Sequence, residues 1–367
     1  MIVGVFSPVI NWCGGAEWVA VNIISALKEN GHQIIILTDE ALNQDKFMNI
    51  FGKKVSVDGQ IVFPFRFFSP NDGHNIYTDI LRSLVLKAKC QVLVDTSSNA
   101  ILPGANVCYV HYPLLKSVEK GLPYTRNLIY FYPYRNLLNF SKDSYSNKLI
   151  FANSKFTAEA VKAEFGVYPK LLYPSVSNKI LKHDDIDFEG QRENQVITIA
   201  RINSGKNLQI IPKIAKLVRR DISFTIVGLL DSPEMLIRLQ KLINILKVND
   251  RVRILTDISK ENLRKILLNS KIYLHTKIDE HFGISIIEAM ASGCIPVVHD
   301  SGGPKEFVSQ KFRFREIEEA AETVEKAINY WSPTRAKNIS KNAERFGEDK
   351  FSKKFIDAFN LHCSKHF

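Results

Sequence analysis

The stretch that most limits what this chain can fold into runs from His275 to Glu306, HTKIDEHFGISIIEAMASGCIPVVHDSGGPKE. Ile286, Ile287, Ala289, Met290 and Ala291 predict a helix whose first turn is Gly283-Ile284-Ser285, and Gly293 stands where a left-handed cap is expected. Cys294 to His299 is a short apolar run of β-branched type and predicts a strand, left by the turn Asp300-Ser-Gly-Gly303. In α/β proteins, phosphates bind where a strand runs through a glycine turn into a helix, because free backbone N–H groups and the positive end of the helix dipole converge there. Two such openings lie close together here, and both loops are expected to face the same way.

Glu280 and Glu288 bracket the helix start. On one helix they would lie roughly 80° apart, so spacing alone does not pair them. With Glu280 in the loop and Glu288 about one turn inside the helix, both would face the carboxyl ends of the strands, one to hold sugar hydroxyls and the other a ribose diol. The bland alternative for Glu288 is a solvated glutamate on a helix surface, where glutamate is favoured.

The segment Glu280-His-Phe-Gly-Ile-Ser-Ile-Ile-Glu288-Ala-Met-Ala-Ser-Gly293, followed by Pro296-Val-Val and Gly302-Gly303, resembles the nucleotide-sugar signature of the retaining GT-B glycosyltransferases, group 1 or family 4-like. The resemblance implies an α/β fold of two Rossmann-like domains facing each other across a cleft. The strings YVHYP around His111, EHFGI and HDSGGPKE are similar to the branch of α-1,2-mannosyltransferases that act on dolichol-linked oligosaccharide.

A chain of 367 residues is long enough for two domains, and 45% hydrophobic with 24% charged residues is an ordinary globular balance. The net charge of +11, from 49 basic and 38 acidic residues, favours a phosphate-bearing or anionic-surface partner. No zinc spacing, RNP-like aromatic motif or basic repeat supports nucleic acid. Cys13, Cys90, Cys108, Cys294 and Cys363 are widely spaced and form no Cys-x-x-Cys, so reduced thiols are expected rather than disulfides or a metal site. MIVGVFSPVI reads as a first strand and not a signal peptide, and no apolar run approaches the ~20 residues of a membrane span. The expected location is cytoplasmic, with any membrane contact peripheral.

The first expected domain covers residues 1–176. A strand over Ile2–Phe6 leads through a glycine turn into a helix ending near Glu29, then a strand over Gln33–Thr38. Gly14-Gly15 is a phosphate-sized opening, though a lone Gly-Gly by itself reads first as a plain tight turn. It is not Gly-x-Gly-x-x-Gly, which weighs against a nicotinamide-dependent oxidoreductase. The family resemblance implies that Gly14 and Gly15 abut the donor phosphates and the acceptor. His111 follows the strand Val107–Val110 and would point into a ligand crevice, a core or capping histidine being the even alternative.

Between Leu114 and Lys148, aromatics such as Tyr124, Tyr130 and Tyr132 alternate with cations such as Arg126 and Arg135. This is the candidate membrane or lipid-acceptor surface, with a buried helix pair as the alternative. Residues 177–194 are polar and aperiodic and are expected to be a linker. Asp185 and Asp187 within it match an Asp-x-Asp metal pattern but are expected to be merely solvated.

The second expected domain spans 195–347, and 348–367 would form a helix packing back on the first. Its opening strand delivers Arg201-Ile-Asn-Ser-Gly-Lys206 ahead of a helix, so a guanidinium fork and an ammonium can both reach a diphosphate. Surface cations are common, but these two match the family's Arg and Lys at this place.

The function expected is a retaining hexosyltransferase moving a sugar, mannose favoured, from a nucleoside diphosphate donor to a lipid-linked or saccharide acceptor. GDP-mannose is the favoured donor, and no cofactor or metal is expected. Arg201 and Lys206 would stabilise the leaving diphosphate, helped by backbone N–H groups of Phe282, Gly283, Ile284 and Ser285. Glu280 would hold the sugar, Glu288 the ribose, and His111 would lie near the reacting carbon. With no evident carboxylate nucleophile, a front-face displacement is the expected retaining route. A GT-B epimerase or phosphorylase and a non-catalytic lipid-surface partner of another transferase are the alternatives.

Overall fold

The structure, a computed structural model, describes residues 1–65, 75–118, 131–134, 136, 145, 147–181 and 188–366. Chain contacts divide it into two units, Met1–Ser175 with Glu348–Phe367, and Val176–Gly347.

The first unit holds seven strands: β1 (Ile2–Phe6), β2 (Gln33–Thr38), β3 (Gly59–Val62), β4 (Val92–Asp95), β5 (Val107–Val110), β6 (Leu149–Ala152) and β7 (Lys170–Leu171). All pair in parallel, in the order β3-β2-β1-β4-β5-β6-β7. Parallel strands are covered on both faces, so their residues are apolar throughout and alternate between two cores. Val3, Val5, Ile34, Ile36, Val92 and Val94 enter one core, while Phe6, Leu37, Leu93, Cys108, Val110 and Ile150 enter the other. The helix Glu348–His366 adds Phe351, Phe355, Ile356 and Phe359 to the first core. These four follow one another at helical spacing on one stripe, which is why the final segment packs onto this unit.

The second unit is also doubly wound: β8 (Glu193–Ile199), β9 (Ser223–Gly228), β10 (Val252–Thr256), β11 (Ser270–His275), β12 (Ile295–His299) and β13 (Arg313–Phe314), all parallel. Their order is β10-β9-β8-β11-β12-β13. The order reverses direction at β8 and β11, and a doubly wound sheet opens its ligand crevice outside the carboxyl ends of the strands at such a switch point. Two parallel sheets flanked by helices give the α/β architecture expected from the sequence.

Residues 177–194 differ from a plain linker. Asn178–Leu181 is helical, β8 already begins at Glu193, and Phe188 and Arg192 are buried. The Arg192 guanidinium donates to the carbonyls of Ser270 and Ser292, so this stretch is tied into the second unit by bonds its own composition does not reveal. Asp185 and Asp187 lie outside the described residues, as do Tyr124, Arg126, Tyr130, Arg135 and most of the aromatic and basic stretch around them. Among its described members, Phe131 and Tyr134 are buried in the second core, Tyr132 is 65% exposed, and Lys148 turns inward to donate to the carbonyls of Pro103 and Ala105. Phe131 and Tyr134 are therefore no part of an exposed membrane surface, and the half-buried Lys148 directs its ammonium to main-chain carbonyls.

Candidate functional site

At the switch point of the second sheet, the loop after β8 carries Arg201 and Lys206, and the loop after β11 carries Lys277 and Glu280. Backbone chemistry explains why these loops hold their shape. A Cβ on Gly228 would stand 1.7 Å from the Ala200 carbonyl oxygen, so only glycine lets the end of β9 pass the base of the Arg201 loop. Asn207 ends the short turn Ser204–Lys206 in the left-handed region and donates to the Thr276 carbonyl at 3.2 Å. Thr276 returns a bond from its hydroxyl to the Lys206 carbonyl at 2.7 Å, which fastens one loop to the other.

The two glycine openings expected to face the same way do meet. Gly303 donates its N–H to the Glu280 carbonyl at 2.8 Å, and Asp279 donates its N–H to Ser301 Oγ at 2.7 Å. Gly302 has φ +71°, and a Cβ there would lie 2.2 Å from the Glu280 oxygen. The helix Ile284–Ala291 is capped by Gly283 at φ 90°, and its first turn carries Ser285. Gly293 is left-handed at φ 82° just beyond its end.

The Glu280 side chain is only 12% exposed and is surrounded by donors. Oε2 takes a bond from His275 Nε2 at 3.1 Å and lies 3.5 Å from Lys206 Nζ. Oε1 lies 3.3 Å from Lys277 Nζ and accepts the His281 N–H at 3.0 Å. Burial pushes this carboxyl's pKa up, but the His275 bond and the Lys206 and Lys277 charges outweigh it and hold it well below the usual carboxylate range. Burial lowers His275, so the ring is neutral, with Nε2 donating to Glu280 and Nδ1 facing the Tyr273 hydroxyl at 3.4 Å. Tyr273 in turn meets Ser285 Oγ at 2.8 Å, linking the helix start to the carboxylate through three side chains.

The sequence-selected residues do not form one uniform cluster. Arg201 is 39% exposed, 3.9 Å from Asp231, while Lys206 is paired with Glu280 and drawn down by burial. Glu288 is half-buried one turn into its helix. Burial raises its pKa, with Lys260 acting the other way. Phe282 is buried against Phe307 and Phe346, so its ring serves packing while its backbone opens the helix. Lys277, Asp231 and Lys260 were not anticipated. Charged residues, on loops as with Lys277 and Asp231 or at a helix start as with Lys260, carry no sequence signal of which partner they meet.

In the first unit one N–H of the phosphate-sized turn is already bonded from within. Gly14 caps the helix Gly15–Glu29, and the carboxylate of Glu17 accepts the Gly14 N–H at 2.8 Å. A glutamate three residues past the cap is the sequence signal of that bond. His111 is seated by four neighbours: its N–H goes to Asn99 Oδ1 at 2.7 Å, Nε2 faces the Thr96 carbonyl at 3.1 Å, and its own carbonyl accepts from Asn153 and Thr157. Burial lowers its pKa to about 4, partly opposed by the Thr96 bond, so the ring is neutral with its proton on Nε2.

Comparison with known proteins agrees with this architecture. Residues 182–346 match the family "Glycosyl transferases group 1". A GDP-Man:Man(3)GlcNAc(2)-PP-Dol alpha-1,2-mannosyltransferase of Dictyostelium discoideum is 27% identical over 299 residues, covering 70% of this chain and 59% of that protein. The same-named protein of Neurospora crassa is 31% identical over 209 residues, 51% of this chain and 37% of its own length. The chain thus spans less than two thirds of each. Among solved structures, Anabaena HepE in complex with UDP and glucose superposes with a TM-score of 0.73 at 16% identity, covering 98% of this chain and all of that one. The chain has the GT-B fold, and its residues 182–346 match the glycosyl transferases group 1 family.

Proposed function

We propose that the protein is a retaining glycosyltransferase that moves a hexose, mannose in the favoured case, from a nucleoside diphosphate sugar to a lipid-linked or saccharide acceptor. The observation that carries the reading is the pairing of Lys206 with Glu280 at the sheet's switch point, beside the start of the helix Ile284–Ala291, with Arg201 on the same loop as Lys206. Arg201 and Lys206 supply positive charge where the diphosphate leaves, and charge that develops in the transition state is where such groups contribute most. The first N–H groups of the helix add partial positive charge from the same side. Glu288 takes the ribose diol, and the neutral His111 lines the acceptor side. The preference for mannose and a GDP donor follows from the names of the relatives in Dictyostelium and Neurospora, as does a polyprenyl-linked acceptor. Glycosyl transfer in place of epimerisation is favoured by the same relatives.

A panel of GDP-, UDP- and ADP-sugars read by thermal shift and hydrolysis tests the reading. It predicts a rise in Tm with at least one sugar nucleotide, GDP-mannose first, and release of nucleotide that accelerates when acceptor is added. Conversion of donor alone into an isomeric nucleotide sugar would establish the epimerase instead.

A further inference from the structure

We infer that Lys277 is a specificity-determining residue of the donor site, an ammonium seated on the carboxylate oxygen that a sugar hydroxyl must use. The inference rests on the donor reading above. An ionised carboxylate offers about four acceptor positions, two on each oxygen. Glu280 has four donors around it: His275 and Lys206 on Oε2, Lys277 and the His281 N–H on Oε1. A hydroxyl can therefore bind Glu280 only by displacing one of them.

Three of the four are poorly placed to leave. His275 is buried and held through its other nitrogen by Tyr273, the His281 donor is main chain, and Lys206, whose ammonium has three N–H donors, is held between Glu280 and the diphosphate once the donor is bound. Lys277 sits on a flexible four-carbon stem with its side chain 24% exposed, and solvent can rehydrate its ammonium as it swings off. Exchange at Oε1 makes and breaks no covalent bond. It opposes binding of the sugar nucleotide but not of the free nucleoside diphosphate, which makes no claim on Oε1. Lys277 thereby narrows the affinity gap between donor and nucleotide product, and it admits only sugars whose hydroxyl reaches Oε1 well enough to compete.

Calorimetric titration of GDP-mannose and of GDP into the full chain tests this, using wild type, Lys277→Met, Lys277→Arg and Lys206→Ala. In Lys277→Met the ratio of the GDP-mannose Kd to the GDP Kd should fall roughly three- to tenfold, the worth of a partly screened ammonium–carboxylate contact. Lys277→Arg, which keeps a cation on Oε1, should hold the wild-type ratio. Lys277→Gln, which keeps most of the stem without the charge, is read in the same way should the methionine variant fail to fold. An unchanged or raised ratio in the uncharged variants, with GDP weakened by Lys206→Ala, would overturn the role of Lys277 and leave the donor site standing. GDP binding indifferent to Lys206→Ala would overturn the donor site and this inference together.

Discussion

His111 is held by Asn99, Thr96, Asn153 and Thr157, the setting that the core or capping alternative expects. Burial pulls its pKa from 6.5 to about 4. The folded protein therefore binds this proton less readily than the unfolded chain, so the stability it contributes is present in full above about pH 6.5 and is lost as pH falls toward about 4. Replacing His111 with Asn should flatten this part of the curve. Urea unfolding at pH 7 and pH 4.5 should show a smaller loss for the variant than for wild type, and equal losses would contradict the assignment. At this scale the sequence was most legible where an unusual residue type sits in a strand-to-helix loop. Arg201, Lys206 and Glu280 are such residues, and the fold brings Lys206 and Glu280 to 3.5 Å. Arg201 keeps apart, beside Asp231. Of the four donors around Glu280, only Lys206 comes from a distant loop; His275, Lys277 and the His281 N–H lie within five residues of it, and their pairing depends on how the loop after β11 folds back on itself, which spacing alone does not reveal.

Elements followed their local signals more closely. The helix Gly15–Glu29 and the final helix Glu348–His366 run over the residues their periodicity and flanking glycines predict. Strand ends moved by a residue or so: the strand expected over Cys294–His299 spans Ile295–His299. Where the described ends of 177–194 are more than a linker there is a physical cause, since Phe188 is buried and Arg192 is bonded to Ser270 and Ser292 without any repeat of their own. Where elements cross closely, glycine decides the outcome. Gly228→Ala should push the Ala200–Arg201 backbone away, at a cost of about 1–3 kcal/mol of stability, and should weaken nucleotide binding with it. Gly104→Ala serves as the control, because the nearest atom to a Cβ there is 3.7 Å off, an ordinary contact. Denaturant midpoints and GDP affinities for the two variants check this, and equal behaviour would contradict the close-approach argument.

Across the whole molecule, two doubly wound sheets and a net charge of +11 bound what the chain can meet. Among the described residues, no helix is long and apolar enough to cross a membrane. If the stretch around Arg126 and Arg135 meets anionic lipid, the protein should sediment with anionic vesicles at low salt and release as salt rises, since such attraction fades within a Debye length. Reversing both charges should abolish sedimentation, and binding indifferent to salt and to those changes would refute the lipid surface. The central claim is that the second sheet's switch point carries a nucleotide-sugar site whose own cations stabilise the leaving diphosphate. It is tested most directly by mannose transfer from GDP-mannose to lipid-linked acceptor in excess EDTA, comparing wild type with Arg201→Ala and Lys206→Ala. The account predicts that transfer survives chelation and falls roughly 10²–10³-fold in each variant. Undiminished turnover in both variants, or transfer lost to EDTA and restored by Mg²⁺ or Mn²⁺, would contradict it.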